Sequence, residues 1–260
     1  MSVKSFMSKM RNLAAFDFDH TIIELNSDAV IASTVQGGVP ESVKNLHRNN
    51  GWTAYMQKIF ELLNMEGYSE DFIRNTIIKL NPVCGMIDLI EELSSKFNYD
   101  VIIISDSNSY FIDAWLNNYD LKKCVLRVFT NPAQFKDNLL MIEPYHLQDY
   151  CDLSSKNLCK GQILQDFVAE QEKNGVLYDR IIYAGDGAND LCPILRLKIG
   201  DHAFVRNGFK LADIVKKVVN GDMKDKSENL YEIKAKIHYW TDALNILEKV
   251  RNIHDEINDS

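Results

Sequence analysis

Apolar residues in this chain fall into short unbroken runs, separated by stretches in which they recur at helical spacing. The runs cover residues 13–18, 101–105, 125–130, 180–184 and 202–205. Little polar alternation interrupts them, which suits strands buried on both faces of a parallel sheet. Helical spacing marks 109–116, 160–172, 190–197, 208–218 and a final amphipathic segment, 239–253. Strands alternating with helices predict an α/β protein with a doubly wound, mostly parallel, Rossmann-like sheet. One interval breaks the rhythm. From Ile22 to about Asn98 the patterns are helical: "WTAYMQKIFELL", "SEDFIRNTIIKL" with Ser69 as N-cap, and "GMIDLIEELSSKF". Residues 24–80 are therefore read as a small helical cap inserted after the first strand, on a core domain of 11–23 and 81–260. The plain alternative is a long α/β connection with no role of its own.

Composition narrows the partners. The 260 residues suffice for one large domain or one domain with an insertion. The formal charge of −8 argues against general affinity for nucleic acid or an anionic membrane. It leaves local phosphate binding open. Five cysteines, odd in number and scattered, do not read as a secreted disulfide framework, so a cytoplasmic setting is expected. The segment "MSVKSFMSKMRN" is basic without a following apolar run, and reads as neither signal peptide nor membrane span.

Candidate chemistry collects where the strands end. In "AAFDFDHTII", Asp17 and Asp19 stand at i and i+2. On a strand that spacing puts both on one face, where their repulsion calls for a cation. "VIIIS" ends in Ser105 and is followed by Asp106; "RIIYA" runs into "GDGAND", with Asp186 and Asp190; "NLCKG" places Lys160 at a helix start. Ligands of open α/β sheets bind beyond these carboxyl ends. Several carboxylates suit Mg²⁺, a hydroxyl and an ammonium suit phosphate, and a free carboxylate can attack phosphorus. A second carboxyl can protonate the leaving oxygen and later activate water. Taken singly, each group also has a plain reading: Asp186 and Asp190 as turn and N-cap, Lys160 as a solvated helix residue, Ser105 as a strand end.

Together and in order, "DFDHT", the strand-terminal serine, the isolated lysine and "GDGAND" resemble the four motifs of the haloacid dehalogenase-type phosphatases. The resemblance implies that Asp17 is nucleophile and Mg²⁺ ligand, and Asp19 general acid/base with its backbone carbonyl on the metal. Thr21 would support the turn and Ser105 bind phosphate. Lys160 would neutralise charge, Asp186 ligate Mg²⁺, and Asp190 orient water or Lys160. "FDFDHTIIELNSD", "GWTAYMQKIFELL", "IIISDSNS", "FTNPAQF", "NLCKG" and "GDGANDLCP" narrow the likeness to the phosphoethanolamine/phosphocholine phosphatase and pyridoxal-phosphate phosphatase family. "SDSNS" and "FTNPA" resemble the pyridoxal-phosphate branch more. The likeness implies a phosphomonoesterase acting on a small phosphorylated metabolite: pyridoxal 5′-phosphate first, phosphocholine or phosphoethanolamine second, phosphoserine-like compounds third. A phosphotransferase or mutase sharing the aspartyl-phosphate is the competing enzyme class. A binding protein without turnover is the competing non-enzyme, and the intact Asp17, Asp19, Lys160 and Asp186 argue against it.

The resemblance also implies that Asp28 and Asp106 face the leaving group; as residues, they read equally as helix cap and turn. His20 is open between touching the leaving group and positioning the backbone. Trp52, Tyr55 and Phe60, at helical spacing, read as core rather than cap lining. One departure stands out. The family's His-x-Cys-x-x-Cys-Pro run is here "QDYCDLSSKNLCKG", with Cys151 and Cys159 kept and Ser154 and Ser155 where its second Cys and its Pro would fall. A CxxC role in metal or redox chemistry is therefore not expected, and Cys159 reads as packing.

Overall fold

The computed structural model describes residues 9–258, without the side chains of 47–50 and 256–258, so the reading of the first eight residues lies outside the described part. In chain order, β1 (Lys9–Phe16) is followed by helices α1 (Ser27–Ala32), α2 (Glu41–Asn50), α3 (Trp52–Met65), α4 (Glu70–Ile77) and α5 (Met86–Ser95). Then come β2 (Tyr99–Asn108), α6 (Ser109–Asn118), β3 (Val125–Asn131) and the pair β4 (Ala133–Lys136) and β5 (Leu139–Ile142). The rest is α7 (Lys160–Lys173), β6 (Val176–Gly185), α8 (Leu191–Ile194), β7 (His202–Arg206), α9 (Lys210–Val219), β8 (Lys236–Trp240) and α10 (Ala243–Asn258).

The sheet is six-stranded in the order β3-β2-β1-β6-β7-β8, and its pairings are parallel. Strand alternation sorts its apolar residues onto two faces, and both are covered. Ala14, Phe16, Ile103 and Ile182 join one core; Leu13, Ala15, Ile102 and Tyr183 join the other, beneath α7, α8 and α9. That is why the runs lack polar alternation. The chain order switches direction between β1 and β6, and the crevice there is where such sheets hold ligands.

The helices of 24–80 share the first of these cores, with Met56, Ile59 and Phe60 buried in it and Phe60 set edge-on to Phe111 at 5.9 Å. Their segment leaves and rejoins the sheet at one place. Ile23 and Pro82 form an antiparallel bridge, with Glu24 N–H donating to Asn81 O (3.0 Å) and Val83 N–H to Ile22 O (2.9 Å). Ser69 caps α4 by accepting from Phe72 N–H, as its sequence pattern predicts.

Four readings are corrected. The helix expected over 239–253 starts only at Ala243, because 236–240 form the edge strand β8. An edge strand carries polar residues, and Tyr239 and Trp240 happen to continue the helical spacing of Ile246 and Leu247. The β4–β5 hairpin was not expected; Asp137 (φ 49°) and Asn138 (φ 64°) make its turn, the left-handed pair such two-residue loops require. The helix expected over 190–197 is a 3₁₀ turn at 188–190 and the single turn of α8. Finally, β1 stops at Phe16 while β2 runs on to Asn108. Asp17 and Asp19 therefore lie in a turn rather than on one strand face, and Ser105 lies within a strand rather than at its end.

Where β7 meets β8, His202 Nδ1 lies 2.8 Å from His238 Nε2, so one ring donates and the other must accept. Burial pushes both imidazoles down to about 4, helped at His202 by His238 and Arg180 and at His238 by Lys249 and Lys236. The unfolded chain then binds protons first, so stability is full above the ordinary value of 6.5 and falls as pH drops toward 4. The buried acids of the sheet edge titrate in the opposite sense, so the histidines are read by difference: between pH 7.5 and pH 5 the wild-type Tm should change less favourably than that of a His202→Asn/His238→Gln variant, in which those acids are unaltered.

Candidate active site

After β1 the chain turns sharply. Asp17 N–H still donates to Ala184 O of β6 (3.0 Å), and then Phe18 O accepts from the N–H groups of Thr21, Ile22 and Ile23. The turn holds His20 at φ 54°, a left-handed conformation uncommon for a side chain of this size. Arg206 fixes it, donating to His20 O and to Glu24 (2.6 Å), while His20 Nδ1 meets Glu24 O at 2.9 Å. His20 is thus engaged in the turn through its Nδ1 and its backbone carbonyl.

The turn sends the two carboxylates to different partners. Asp17 Oδ1 accepts from Phe18 N–H (2.7 Å) and its Oδ2 lies 2.6 Å from Lys160 Nζ. Asp19 Oδ1 accepts from Ser27 N–H at the start of α1 (2.8 Å). Lys160, at the first position of α7 and fully buried, also touches Asp190 Oδ1 at 2.8 Å. Asp190 is in turn held by Tyr183 Oη–H (2.6 Å on Oδ1) and by the N–H groups of Asp186 (3.0 Å) and Gly187 (2.8 Å on Oδ2). Gly185 is required here, since a Cβ on it would sit 2.4 Å from the Asp190 carboxyl carbon. Thr21 Oγ1–H donates to Asp186 Oδ1 (3.3 Å), which ties the first motif to the last.

The site carries more negative charge than the Lys160 ammonium offsets. Burial, then the neighbouring carboxylates of Asp190 and Asp106, push Asp17 up to about 7 although Lys160 pulls it down. Burial and then Asp17 and Asp190 push Asp186 up to about 8. Burial and then Asp28 raise Asp19 well above the usual range. Tyr183 stays protonated for the same reasons, burial first and Asp190 second, and so remains a donor. Carboxylate oxygens of Asp17, Asp186 and Asp190 lie within 4.8 Å of one another. This donor set fits a hard cation, with one amendment. Each Asp190 oxygen already takes two donors, from Lys160 and Tyr183 or from two backbone amides, whereas each Asp17 oxygen takes one and Asp186 is held only through Oδ1, so Asp17 and Asp186 keep lone pairs for a cation.

The other expected residues lie close by. Ser105 is fully buried and its Oγ accepts from Ser107 N–H (3.3 Å). Asp106 accepts from Asn189 Nδ2 (3.0 Å). Asp28, also buried, accepts from Trp52 Nε1 (2.5 Å) on Oδ2, and Tyr55 stacks obliquely on Trp52 at 5.2 Å. Phe60 is core, as its spacing predicts, but Trp52 is half-buried and tied to the acid beneath it. Tyr183 and Asn189 escaped the sequence reading. Tyr183 is a strand residue like its apolar neighbours, and only the tertiary approach of Asp190 gives its hydroxyl a task.

A parallel sheet with acids at its switch point is the fold shared with solved hydrolases of the haloacid dehalogenase type, among them one from Salmonella enterica (TM-score 0.56, 18% identity, covering 80% of this chain and 66% of that one). The fold agrees with that of a phosphoserine phosphatase solved as a phospho-aspartyl intermediate analogue (TM-score 0.58, 22% identity, covering 93% of this chain and 99% of that one). The chain belongs to the Putative Phosphatase family, whose model matches residues 12–253. It is 35% identical over 245 residues to pyridoxal phosphate phosphatase PHOSPHO2 of Homo sapiens, spanning 93% of this chain and 98% of that protein. It is 33% identical over 210 residues to the phosphoethanolamine/phosphocholine phosphatase of Homo sapiens, covering 79% of this chain and 78% of the relative. The chain is thus a phosphoric monoester hydrolase. Among the described residues no helix is long and apolar enough to cross a membrane.

Proposed function

We propose that this chain is a Mg²⁺-dependent phosphomonoesterase that works through an aspartyl-phosphate on Asp17, with pyridoxal 5′-phosphate as substrate. The observation that carries the chemistry is the buried chain Asp17–Lys160–Asp190, with contacts of 2.6 and 2.8 Å. Lys160 holds the Asp17 carboxylate in place and offsets charge on the transferring group. The Asp17 carboxylate attacks phosphorus as the bond to the leaving oxygen breaks. Asp19, fixed through Oδ1 by Ser27, uses its other oxygen to give that leaving oxygen a proton, and then takes a proton from the water that releases phosphate from Asp17. Ser105 binds the phosphoryl oxygens. Asp17, Asp186 and the Asp19 carbonyl would hold Mg²⁺, which supplies charge neutralisation for the phosphoryl group. Thr21 keeps Asp186 turned toward the cation, and Asp190 keeps Lys160 in place.

For the substrate, the supporting group is Asp28. Its Oδ1 is buried with no hydrogen-bond partner among the described residues, while Oδ2 is held by Trp52. Such an oxygen suits a donor on the leaving group, and an indole beside it suits a flat heteroaromatic ring. The same oxygen also suits the second reading, an ethanolamine or choline head, because Asp106 lies near enough to add its charge to that of Asp28. The 24–80 segment acts as the cap that closes over the site, with its bridge at Ile23 and Pro82 as the hinge. Partners are small phosphorylated metabolites rather than nucleic acid or membrane. The setting is the cytoplasm, where the unpaired thiols stay reduced.

The test is phosphate release with Mg²⁺ from pyridoxal 5′-phosphate, phosphocholine, phosphoethanolamine and phosphoserine. Pyridoxal 5′-phosphate should have the highest kcat/KM, and chelation should abolish turnover until Mg²⁺ is returned. Trp52→Ala should raise KM for pyridoxal 5′-phosphate by about tenfold with a smaller change in kcat. A preference for phosphocholine or phosphoethanolamine would move the substrate to the second reading. Labelled phosphate passing to an acceptor alcohol would make the enzyme a transferase.

A further inference from the structure

Away from the carboxylates, three thiols meet. Cys151 Sγ lies 3.4 Å from Cys192 Sγ, and Cys159 Sγ lies 3.7 Å from Cys192 Sγ. All three lie within 4.8 Å of one another. Ser154 Oγ completes the group at 3.4 Å from Cys151 Sγ and 3.3 Å from Cys159 Sγ. Zinc–thiolate bonds of about 2.3 Å put the sulfurs of a tetrahedral site about 3.8 Å apart, close to the spacing seen here.

The surroundings are arranged to hold this geometry. Gln148, itself buried, accepts from Cys151 N–H (2.9 Å) and donates to the carbonyls of Cys151, Ser154 and Ser155 at 2.9–3.3 Å, which fixes the turn that presents Cys151 and Ser154. His146 Nε2 accepts from Cys159 N–H (2.9 Å), so His146 braces the loop rather than joining the cluster. Gly161 permits the close approach, because a Cβ there would meet Cys192 Sγ at 2.5 Å and Arg196 Nε at 2.6 Å. Arg196 lies against Cys192. Three thiolates around a divalent ion leave one negative charge, and the guanidinium offsets it.

The geometry points to a second metal site, in which Cys151, Cys159 and Cys192 bind a thiophilic divalent ion of the zinc class, with Ser154 Oγ at the fourth position. Soft thiolates select such an ion over Mg²⁺. Binding displaces the thiol protons to solvent, with no change of oxidation state. The site is structural in its placement. Cys159 immediately precedes Lys160 and Cys192 follows Asp190 by two residues, so the ion clamps together the two segments whose side chains meet at 2.8 Å. It stands apart from the carboxylate site and does not depend on the proposed substrate.

The experiment is metal analysis of the full chain after zinc loading and gel filtration, with Co²⁺ loading in parallel. One zinc per chain should remain in excess Mg²⁺, and Co²⁺ should give thiolate charge-transfer absorption. Zinc should shield the half-buried Cys151 from alkylation while exposed Cys84 reacts freely and the buried Cys159 and Cys192 stay unreactive in the folded chain. Asp17→Asn should keep the zinc and Cys151→Ser/Cys192→Ser should lose it. Ser154→Cys, which supplies a fourth thiolate, should slow zinc transfer to a chelator by about tenfold or more. Wild-type protein that retains no zinc, or whose Cys151 alkylates equally fast with and without it, overturns the proposal. So does a Cys151–Cys192 disulfide in the protein taken directly from cells.

Discussion

Asp17→Asn is expected to lower kcat by about 10⁴-fold or more, the scale on which removal of a nucleophile acts. An amide oxygen can still accept from Phe18 N–H, so the turn after β1 keeps its bond of 2.7 Å. What goes is the charge that attacks phosphorus. The folded protein should not suffer. Burial has pushed the Asp17 carboxyl up to about 7, so its ionised form is disfavoured in the native state, and a neutral isostere removes that burden. Tm should stay level or rise. Rapid quenching with labelled substrate separates chemistry from binding: the wild-type chain should carry phosphate on Asp17 and the variant none. Unchanged turnover in the variant would exclude the aspartyl-phosphate route.

Lys160→Ala should damage both activity and stability. The ammonium is fully buried between Asp17 and Asp190, and its removal leaves two acids without their cation. Removing one member of a buried ion pair costs about 3–5 kcal/mol, and lost charge stabilisation at phosphorus should cost a further 10²–10³-fold in kcat, roughly that of an oxyanion donor. Lys160→Met keeps the stem and isolates the charge. Pairing it with Asp190→Asn should recover much of the Tm but none of the turnover, because the neutral pair satisfies burial while nothing offsets charge on the phosphoryl group. Denaturant unfolding of the two single variants and the double variant measures this coupling. Equal loss of stability in the single and double variants would mean that Lys160 acts through packing alone.

The candidate acids Asp17, Asp186 and Asp190 were legible because they follow strand ends, and strand ends can be read from apolar runs. Asp17, Lys160, Asp186 and Asp190 converge as those runs predict. The paired acids were legible as a pair but not in their directions. The argument from strand alternation fails once β1 stops at Phe16, and the turn through Phe18 aims Asp17 at Lys160 and Asp19 at Ser27. Trp52 shows the limit in the 24–80 segment. Helical spacing marks it as an apolar position, yet the hydrogen bond to Asp28 depends on how α3 lies over α1.

The sequence alone determined the alternation of strands and helices, the helical segment after the first strand, and the identity of the groups proposed to move phosphate. These follow from local periodicity and from side-chain chemistry, which neighbours along the chain suffice to set. Tertiary structure alone decided the edge strand β8, the β4–β5 hairpin, the bond from Tyr183 to Asp190, and the meeting of Cys151, Cys159 and Cys192. Each joins or depends on residues far apart in the chain or too few to carry a period. Cys192 stands 41 positions from Cys151, and only the placing of the loop before α7 against α8 brings their sulfurs to 3.4 Å.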